Sequence, residues 1–274
     1  MKTTILAELP EPEIIDPGAL YESYSSGATD LVVVLGPTAS GKTKYAVRLA
    51  NEFASFGRRA EIISADSRQV YRGMDIGTGK DLAEYGSVPY HLIDIADAGS
   101  QYNVFQFQRD FSSAWADIRG RDAIPILCGG TGLYINAVTS GYDFRETRPL
   151  SERRGGSEGC SPAPSVHLPS SPFIIGTLVS REVRNARIDA RLDARLQEGM
   201  IDEVKGLLER GVPEAVLISY GLEYKFITLF LRGDMDYDEM RLKLSTAIHQ
   251  FAKRQMTWFR GMERSGAVIH WTEV

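Results

Sequence analysis

Short apolar runs alternate with segments of helical periodicity along most of the chain. The apolar runs predict strands at 31–35, 60–64, 91–95, 123–128, 172–178 and 267–271. Between them, apolar residues three and four positions apart predict helices at 41–56, 103–119, 131–139, 181–208 and 238–260. Such alternation is typical of an α/β fold, in which helices cover both faces of a mostly parallel sheet. The C-terminal part is predicted to be mainly helical.

Composition divides the chain into a core and two less regular segments. Residues 1–29 are predicted to form a poorly ordered extension. Residues 30–143 and 172–274 form the predicted α/β core. Between its two halves, 144–171 is rich in Gly, Pro and Ser, which is typical of a linker.

Charge and apolar content exclude little about the function. The net charge is −5, and residues 1–30, with six carboxylates against Lys2, carry all of it. The neutral remainder is compatible with a nucleic-acid partner. No apolar run approaches membrane-spanning length, and no signal-peptide pattern is visible, so we predict a cytoplasmic protein without a membrane partner. Cys128 and Cys160 are too few for a disulfide framework, and Cys128 is predicted to pack as a small apolar residue.

The most informative motif follows the first predicted strand. Its residues are Gly36, Pro37, Thr38, Ala39, Ser40, Gly41, Lys42 and Thr43. The spacing G-x-x-x-x-G-K-[ST] between a strand and a helix is the pattern of a phosphate-binding loop. Its glycines let backbone N–H groups face an anion, while Lys42 adds a charge and Thr43 a hydroxyl for Mg²⁺. The motif predicts a P-loop NTPase-like fold and a di- or triphosphate ligand, whereas a plain glycine-rich turn needs neither Lys42 nor Thr43.

Two other turns follow predicted strands, and ligands bind at that edge of an open α/β sheet. Asp66 comes directly after the second strand, which predicts a general base or a Mg²⁺ ligand near the phosphate loop. Asp66 equally fits a turn aspartate that caps backbone N–H groups. Thr131 lies in a Gly-Gly-Thr-Gly turn, which fits either an anion-binding helix start or an ordinary connection.

Four sequence blocks carry a resemblance to one family. They lie at 36–43, 66–80, 129–134 and 252–260, on both sides of the predicted linker. In this combination and order they resemble the tRNA dimethylallyltransferases, also called tRNA isopentenyltransferases. The similarity covers about residues 31–143 and 172–274. The phosphate loop alone would indicate a kinase or an ATPase.

The resemblance implies a prenyltransferase, which we expect to be a monomer. It would transfer a dimethylallyl group from dimethylallyl diphosphate to the exocyclic amine of an adenosine next to the anticodon of tRNA, releasing diphosphate. The phosphate loop would hold the donor's diphosphate, although such loops are often labelled ATP-binding. Thr43 would hold Mg²⁺, while Thr38 and Lys42 would stabilise the leaving oxygen. Asp66 would be the general base that takes a proton from the amine.

The resemblance also implies the substrate contacts. Those with tRNA come from Asp66, Ser67, Arg68, Gln69, Thr131, Lys253, Arg254 and Gln255. Arg187 and Arg191 would approach the diphosphate from a long helix. The target adenine must leave its stack to reach the donor, as in other base-modifying enzymes.

Several of these residues have alternative interpretations. Arg68 fits a solvated surface pair with Arg72 as well as a nucleotide contact. The arginine helix also carries Asp189 and Asp193, a spacing that favours salt bridges within the helix. Trp258, with Phe259 beside it, fits either an RNA contact or the core.

The chain departs from the family pattern at 144–171. Members usually carry a helical insertion domain there, whereas this segment is short and rich in Gly and Pro. Two alternative functions therefore stay open. One is an adenylate isopentenyltransferase, which acts on free nucleotide, and the other is a catalytically weakened relative that binds nucleotide or RNA.

Overall fold

A six-stranded parallel sheet forms the centre of the protein, in the order β4-β2-β6-β1-β7-β8. The computed structural model describes residues 10–140 and 167–274. The strands of the sheet are β1 (Leu31–Leu35), β2 (Ala60–Ser64), β4 (Tyr90–His91), β6 (Ile124–Gly129), β7 (Pro172–Leu178) and β8 (Ile269–Glu273). A separate parallel pair joins β3 (Tyr71–Arg72) to β5 (Ala96–Asp97). The predicted α/β class with a mostly parallel sheet is confirmed.

Helices cover both faces of the sheet. They are α1 (Pro17–Ser25), α2 (Lys42–Ser55), α3 (Val104–Gly120), α4 (Gly132–Thr139), α5 (Arg181–Gln197), α6 (Met200–Glu209), α7 (Glu214–Tyr220), α8 (Leu222–Arg232) and α9 (Tyr237–Arg264). Alternate residues of β1 point to opposite faces, because side chains alternate along a strand. Val33 joins the core under α3, α4 and α9, while Val32 joins the core under α1 and α2. A third core packs α5–α9 against residues 70–76.

The helix predicted over 181–208 is two helices. Gly199 adopts φ +99° and separates α5 from α6, a conformation that glycine accepts without a steric penalty. The strand predicted over 91–95 pairs only as far as His91. Leu92 and Asp94 then take positive φ values of 61° and 56°, which turns the chain away from the sheet.

The described part of the predicted N-terminal extension, residues 10–29, contains a helix. Residues 17–25 form α1, and the Asp16 carboxylate caps it by accepting a 2.8 Å hydrogen bond from the Gly18 N–H. Leu20 and Tyr24 of α1 are buried against the core that contains α2. Tyr21 of the same helix adds contacts with the rings of Phe53 and Phe56, so a short helix with few apolar residues is enough to dock here.

Of the predicted linker at 144–171, residues 144–166 lie outside the described part of the chain. Where the description resumes, the Asp30 carboxylate accepts hydrogen bonds from the backbone N–H groups of Ser170 and Ser171, at 2.7 and 3.0 Å. These contacts place the start of β7 beside β1. Within 10–140 and 167–274, we find no helix that is both long and apolar enough for a membrane span.

Candidate active site

The phosphate loop is held tightly between β1 and α2. A Cβ atom on Gly36 would lie 2.0 Å from the Thr177 Oγ1, so only glycine fits there. The Thr177 hydroxyl is 2.6 Å from the Ser40 hydroxyl and donates to the Leu35 carbonyl at 3.2 Å. Gly41 takes φ +87° at the start of α2. The loop is therefore shaped for backbone N–H groups to face an anion.

Helix α9 supports this loop through Gln255. The side-chain oxygen of Gln255 accepts from the Thr38 N–H at 2.8 Å, and its amide donates to the Gly130 carbonyl at 2.9 Å. Gln255 is buried. These contacts give Gln255 a positioning role on the loop, and its contact with tRNA stays a prediction.

Asp66 lies on the wall of a narrow cavity of about 60 Å³ that also reaches the phosphate loop. We call it the Asp66 cavity, and its walls include Thr38, Lys42, Thr43, Asp66, Arg191 and Gln255. The Asp66 carboxylate accepts a 2.9 Å hydrogen bond from the Arg68 N–H, so Asp66 is also a turn aspartate. The turn interpretation of this residue is therefore confirmed, and its role as a general base stays a prediction. The carboxylate and the Lys42 turn share one cavity, as a common active site requires.

Thr131 fixes the backbone beside Asp66. Its hydroxyl accepts from the Ser67 N–H at 3.0 Å, and its own N–H donates to the Ala65 carbonyl at 3.1 Å. A Cβ atom on Gly129 would lie 2.3 Å from the Ala65 carbonyl oxygen. The ends of β2 and β6 are thus locked together, and the role of Thr131 seen here is to position the Asp66 turn.

Lys42 and Cys128 both line the Asp66 cavity. Burial lowers the pKa of Lys42, although the nearby Asp66 carboxylate opposes this shift. Burial raises the pKa of Cys128 to about 12, and this neutral, buried thiol confirms the predicted packing role. Thr43 lies in the cavity wall beside them.

Thr43 fits a Mg²⁺ ion that arrives with a diphosphate. Among residues 10–140 and 167–274, no three His, Cys, Asp or Glu side chains form a metal-binding group. Mg²⁺ commonly takes only one or two protein ligands and completes its shell with phosphate oxygens and water. A single hydroxyl at the mouth of a phosphate loop matches that chemistry.

Arg68 is not the surface residue that one interpretation predicted. Its guanidinium is 16% exposed and forms an ion pair with Glu223, which is 6% exposed. It also lies over the Phe251 ring, 5.8 Å from the centroid. Arg72, by contrast, is exposed and pairs with Asp97 at 2.7 Å. The solvated-pair interpretation is therefore wrong for Arg68.

Ion pairs and hydrogen bonds hold the remainder of the 66–80 block in place. The fully buried Lys80 ammonium contacts the carboxylates of Asp75, at 2.9 Å, and Asp94. The Glu203 carboxylate accepts from the Ile76 N–H at 2.7 Å and from the Tyr224 hydroxyl at 2.8 Å. Sequence reasoning missed all of these partners. Glu203 lies 127 positions after Ile76, whereas Asp75 lies only five positions before Lys80 and no pattern in the sequence indicates their pairing.

Gln69 is likewise engaged with its neighbours. Its amide donates to the Gly79 carbonyl at 3.1 Å, and its side-chain oxygen accepts from the Ser64 hydroxyl at 3.2 Å. Gln69 lines the Asp66 cavity as well. A nucleotide contact by Gln69 stays a prediction.

A wider basic cleft of about 600 Å³ adjoins the Asp66 cavity. We call it the arginine cleft, and its lining includes Lys42, Thr43, Arg48, Asp81, Arg187 and Arg191. Arg191 pairs with Asp81. Lys42, Thr43 and Arg191 line both spaces, which therefore lie next to each other at the phosphate loop.

The acids of α5 do not neutralise these arginines. Asp189 is 3.0 Å from the ring of His249, and Asp193 pairs with Arg241 at 2.7 Å, both on α9. The predicted alternative, salt bridges within the helix, is wrong. Arg187 and Arg191 are thereby left facing the arginine cleft.

The predicted RNA-contact residues of α9 divide by exposure. Lys253 and Arg254 are exposed, while Phe259 is fully buried in the core. Trp258 is 43% exposed. It packs so closely on Gly132 that a Cβ there would lie 2.2 Å from its ring. Lys253 and Arg254 are available to an RNA backbone, and their contact with tRNA stays a prediction.

Comparisons with known proteins point to one family. The sequence profile of the IPP transferase family matches residues 69–160 and 155–262. A protein named tRNA dimethylallyltransferase 1 from Porphyromonas gingivalis is 48% identical in an alignment of 287 positions, gaps included. The alignment covers 89% of this chain and 93% of the relative. A protein of the same name from Geotalea uraniireducens is 45% identical over 285 residues, covering 89% and 92%.

Solved structures show the same similarity. The tRNA isopentenylpyrophosphate transferase of Bacillus halodurans has a TM-score of 0.73 at 31% identity, covering 89% of both chains. The tRNA delta(2)-isopentenylpyrophosphate transferase of Staphylococcus epidermidis has a TM-score of 0.72 at 27% identity, covering 89% of this chain and 92% of the other.

Proposed function

The chain belongs to the tRNA dimethylallyltransferase family, and we propose that it transfers a dimethylallyl group from dimethylallyl diphosphate to the exocyclic amine of an adenosine next to the anticodon of tRNA. The observation that carries the proposal is the cavity shared by the Asp66 carboxylate and the Lys42 loop. The names of the relatives favour tRNA over free nucleotide as the acceptor.

The donor's diphosphate fits the junction of the arginine cleft and the phosphate loop. Lys42, Arg187 and Arg191 supply positive charge there, and the loop N–H groups supply oriented dipoles. Charge develops on the bridging oxygen as the bond to the prenyl carbon breaks, so these groups stabilise the transition state. A Mg²⁺ ion would be held by Thr43 and would add to that neutralisation.

Asp66 has the position of the proton acceptor. The exocyclic amine attacks the first carbon of the prenyl chain, a carbon–nitrogen bond forms, and the carbon–oxygen bond to diphosphate breaks. The amine then carries one proton too many, and the Asp66 carboxylate accepts it. Because the Arg68 N–H fixes one carboxylate oxygen at 2.9 Å, the other is free to face the amine.

The acceptor must present an unstacked adenine to a narrow opening. A base within a helix cannot reach a cavity of about 60 Å³, so the nucleotide has to be extruded. Lys253 and Arg254 on the exposed face of α9 would hold the RNA backbone. The cytoplasmic location, the monomeric state and ATP binding stay predictions.

A transfer assay tests the proposal. The protein is incubated with labelled dimethylallyl diphosphate, Mg²⁺ and either unmodified tRNA or AMP, and the label in each acceptor is measured. We expect label in tRNA only. Label in AMP alone would indicate an adenylate isopentenyltransferase, and label in neither would indicate a weakened relative; both results contradict the proposal.

A further inference from the structure

Arg195 carries a buried positive charge that its neighbours leave incomplete. It lies on α5, one helical turn after Arg191, and its side chain is 12% exposed. Its Nη2 atom is buried and has no hydrogen-bond partner within the described parts of the chain. The nearest carboxylate oxygen, on Asp81, is 3.7 Å away and is already bound by Arg191.

A buried arginine with an unpaired N–H group destabilises the fold unless a ligand supplies the missing hydrogen-bond acceptor. A buried charge without hydrogen bonds loses its hydration and gains little in return. Burial, together with the neighbouring charge of Arg191, accordingly lowers the pKa of Arg195 to about 10. Arg68, the other buried arginine of this wall, has no such deficit because Glu223 neutralises it.

The surrounding backbone is shaped to admit the Arg195 guanidinium. A Cβ atom on Gly79 would lie 2.0 Å from its Nη2, and Gly79 also takes φ +69°. Arg195 lines the Asp66 cavity together with Thr38 and Lys42. An unfilled hydrogen-bond donor thus lies in the wall of the space that holds the reactive groups.

We infer that Arg195 is a further diphosphate-binding residue, which completes its hydrogen bonds on the phosphate oxygens of the donor and of the released diphosphate. The inference rests on the proposed function. A phosphate of the tRNA backbone has the same chemistry, but the cavity wall carries Lys42 and Arg191 beside Arg195, and three positive charges in one enclosed space match a diphosphate.

The Arg195→Met variant separates ligand binding from a structural role. Without ligand, we expect its melting temperature to equal or exceed that of the unaltered protein. The substitution removes an unsatisfied charge and leaves Asp81 paired with Arg191. With Mg²⁺ present, we expect its Kd for inorganic diphosphate, measured by calorimetry, to rise about 10-fold or more. A merely structural arginine would lower the melting temperature and leave the Kd unchanged.

Two matched variants complete the experiment. Arg181→Met removes an exposed charge from the first turn of the same helix and should leave the diphosphate Kd within about twofold of the starting value. Arg195→Lys keeps a charge with a shorter reach, so its Kd should fall between those of the unaltered protein and Arg195→Met. If Arg195→Met does not fold, Arg195→Lys decides, and an unchanged Kd there overturns the inference.

Titration with unmodified tRNA in the absence of donor identifies the anion. An unchanged tRNA Kd in Arg195→Met, with weakened diphosphate binding, supports the inference. Weakened tRNA binding with unchanged diphosphate binding would assign the site to an RNA phosphate and overturn it. Failure of the unaltered protein to bind diphosphate or to modify tRNA would instead refute the proposed function.

Discussion

The Gln255 side-chain oxygen accepts a 2.8 Å hydrogen bond from the backbone N–H of Thr38, which is 217 positions away in the chain. The same side chain donates to the Gly130 carbonyl at 2.9 Å. One amide on α9 therefore joins the phosphate loop to the turn that supports Asp66. This relationship makes the geometry of the donor site depend on the packing of α9.

We expect Gln255→Leu to weaken diphosphate binding and to lower the free energy of unfolding by about 1–3 kcal/mol. The substitution leaves the Thr38 N–H and the Gly130 carbonyl buried without their partner. Urea unfolding and diphosphate titration measure the two effects. Lys253→Gln, at an exposed position two residues earlier, should change neither diphosphate binding nor the free energy of unfolding. It should instead weaken tRNA binding, with the largest effect at low salt. Unchanged diphosphate affinity in Gln255→Leu would contradict the positioning role.

Asp66→Asn should abolish prenyl transfer while donor binding persists. The amide cannot take the proton, so we expect the turnover rate to fall about 10²–10⁴-fold. Its side-chain oxygen still accepts from the Arg68 N–H, so the turn is preserved. Single-turnover transfer to tRNA and diphosphate titration are the measurements. A variant that turns over normally but binds donor weakly would refute the base role.

Elements whose determinants are local were predictable from the sequence. The bounds of β1, β2 and β7 match the predicted strands, because a central parallel strand is buried on both faces and its sequence is mostly apolar. The phosphate loop was equally predictable, because the glycines and the lysine that define it all lie within eight consecutive residues. The break at Gly199 was not, because the apolar periodicity continues from α5 into α6.

Contacts between distant segments were beyond the sequence. Nothing near Arg68 indicates that Glu223, 155 positions later, will bury and neutralise it. The same holds for Glu203, which binds the backbone at 75–77. Arg195 was visible as part of an arginine stripe, but its missing hydrogen bond emerges only when α5 is packed against Gly79.

Lys42 should make stability and ligand binding respond to pH in opposite directions. Burial lowers its pKa in the folded protein below the ordinary value of 10.5, so between the two values the unfolded chain binds more protons. The free energy of unfolding without ligand should therefore rise with pH across that window. Diphosphate binding needs the charged amine and should weaken as pH rises through the lowered pKa.

Comparison with Lys42→Met isolates this contribution. The variant should be more stable than the unaltered protein at pH 7 without ligand, and the difference should shrink as pH approaches 10.5. Thermal unfolding of both proteins from pH 7 to pH 10 gives the difference. A variant that is less stable at pH 7 would show that the Lys42 ammonium supports the fold, contrary to this prediction.

Removing one partner of the Arg68–Glu223 ion pair should lower the free energy of unfolding strongly. Removing both partners together should lower it much less. Glu223→Gln leaves a buried guanidinium without its counter-charge, which costs about 3–5 kcal/mol. The double substitution Arg68→Met with Glu223→Met removes both charges and should recover most of that loss. Urea unfolding of Arg68→Met, Glu223→Met and the double variant measures the coupling. Strictly additive losses would mean that the two charges do not interact.

Asp81 occupies a place that suits a phosphate oxygen, between Arg191 and Arg195. Its carboxylate pairs with Arg191 and lies 3.7 Å from Arg195. A bound diphosphate would have to compete with this carboxylate, so Asp81→Asn should lower the diphosphate Kd about 3- to 10-fold at low salt. Asp193→Asn is the matched control, because Asp193 is on the same helix as both arginines but pairs with Arg241. Calorimetry at two salt concentrations measures both variants. Weaker diphosphate binding in Asp81→Asn would show instead that the carboxylate holds the arginines, or the Mg²⁺ ion, in the binding geometry.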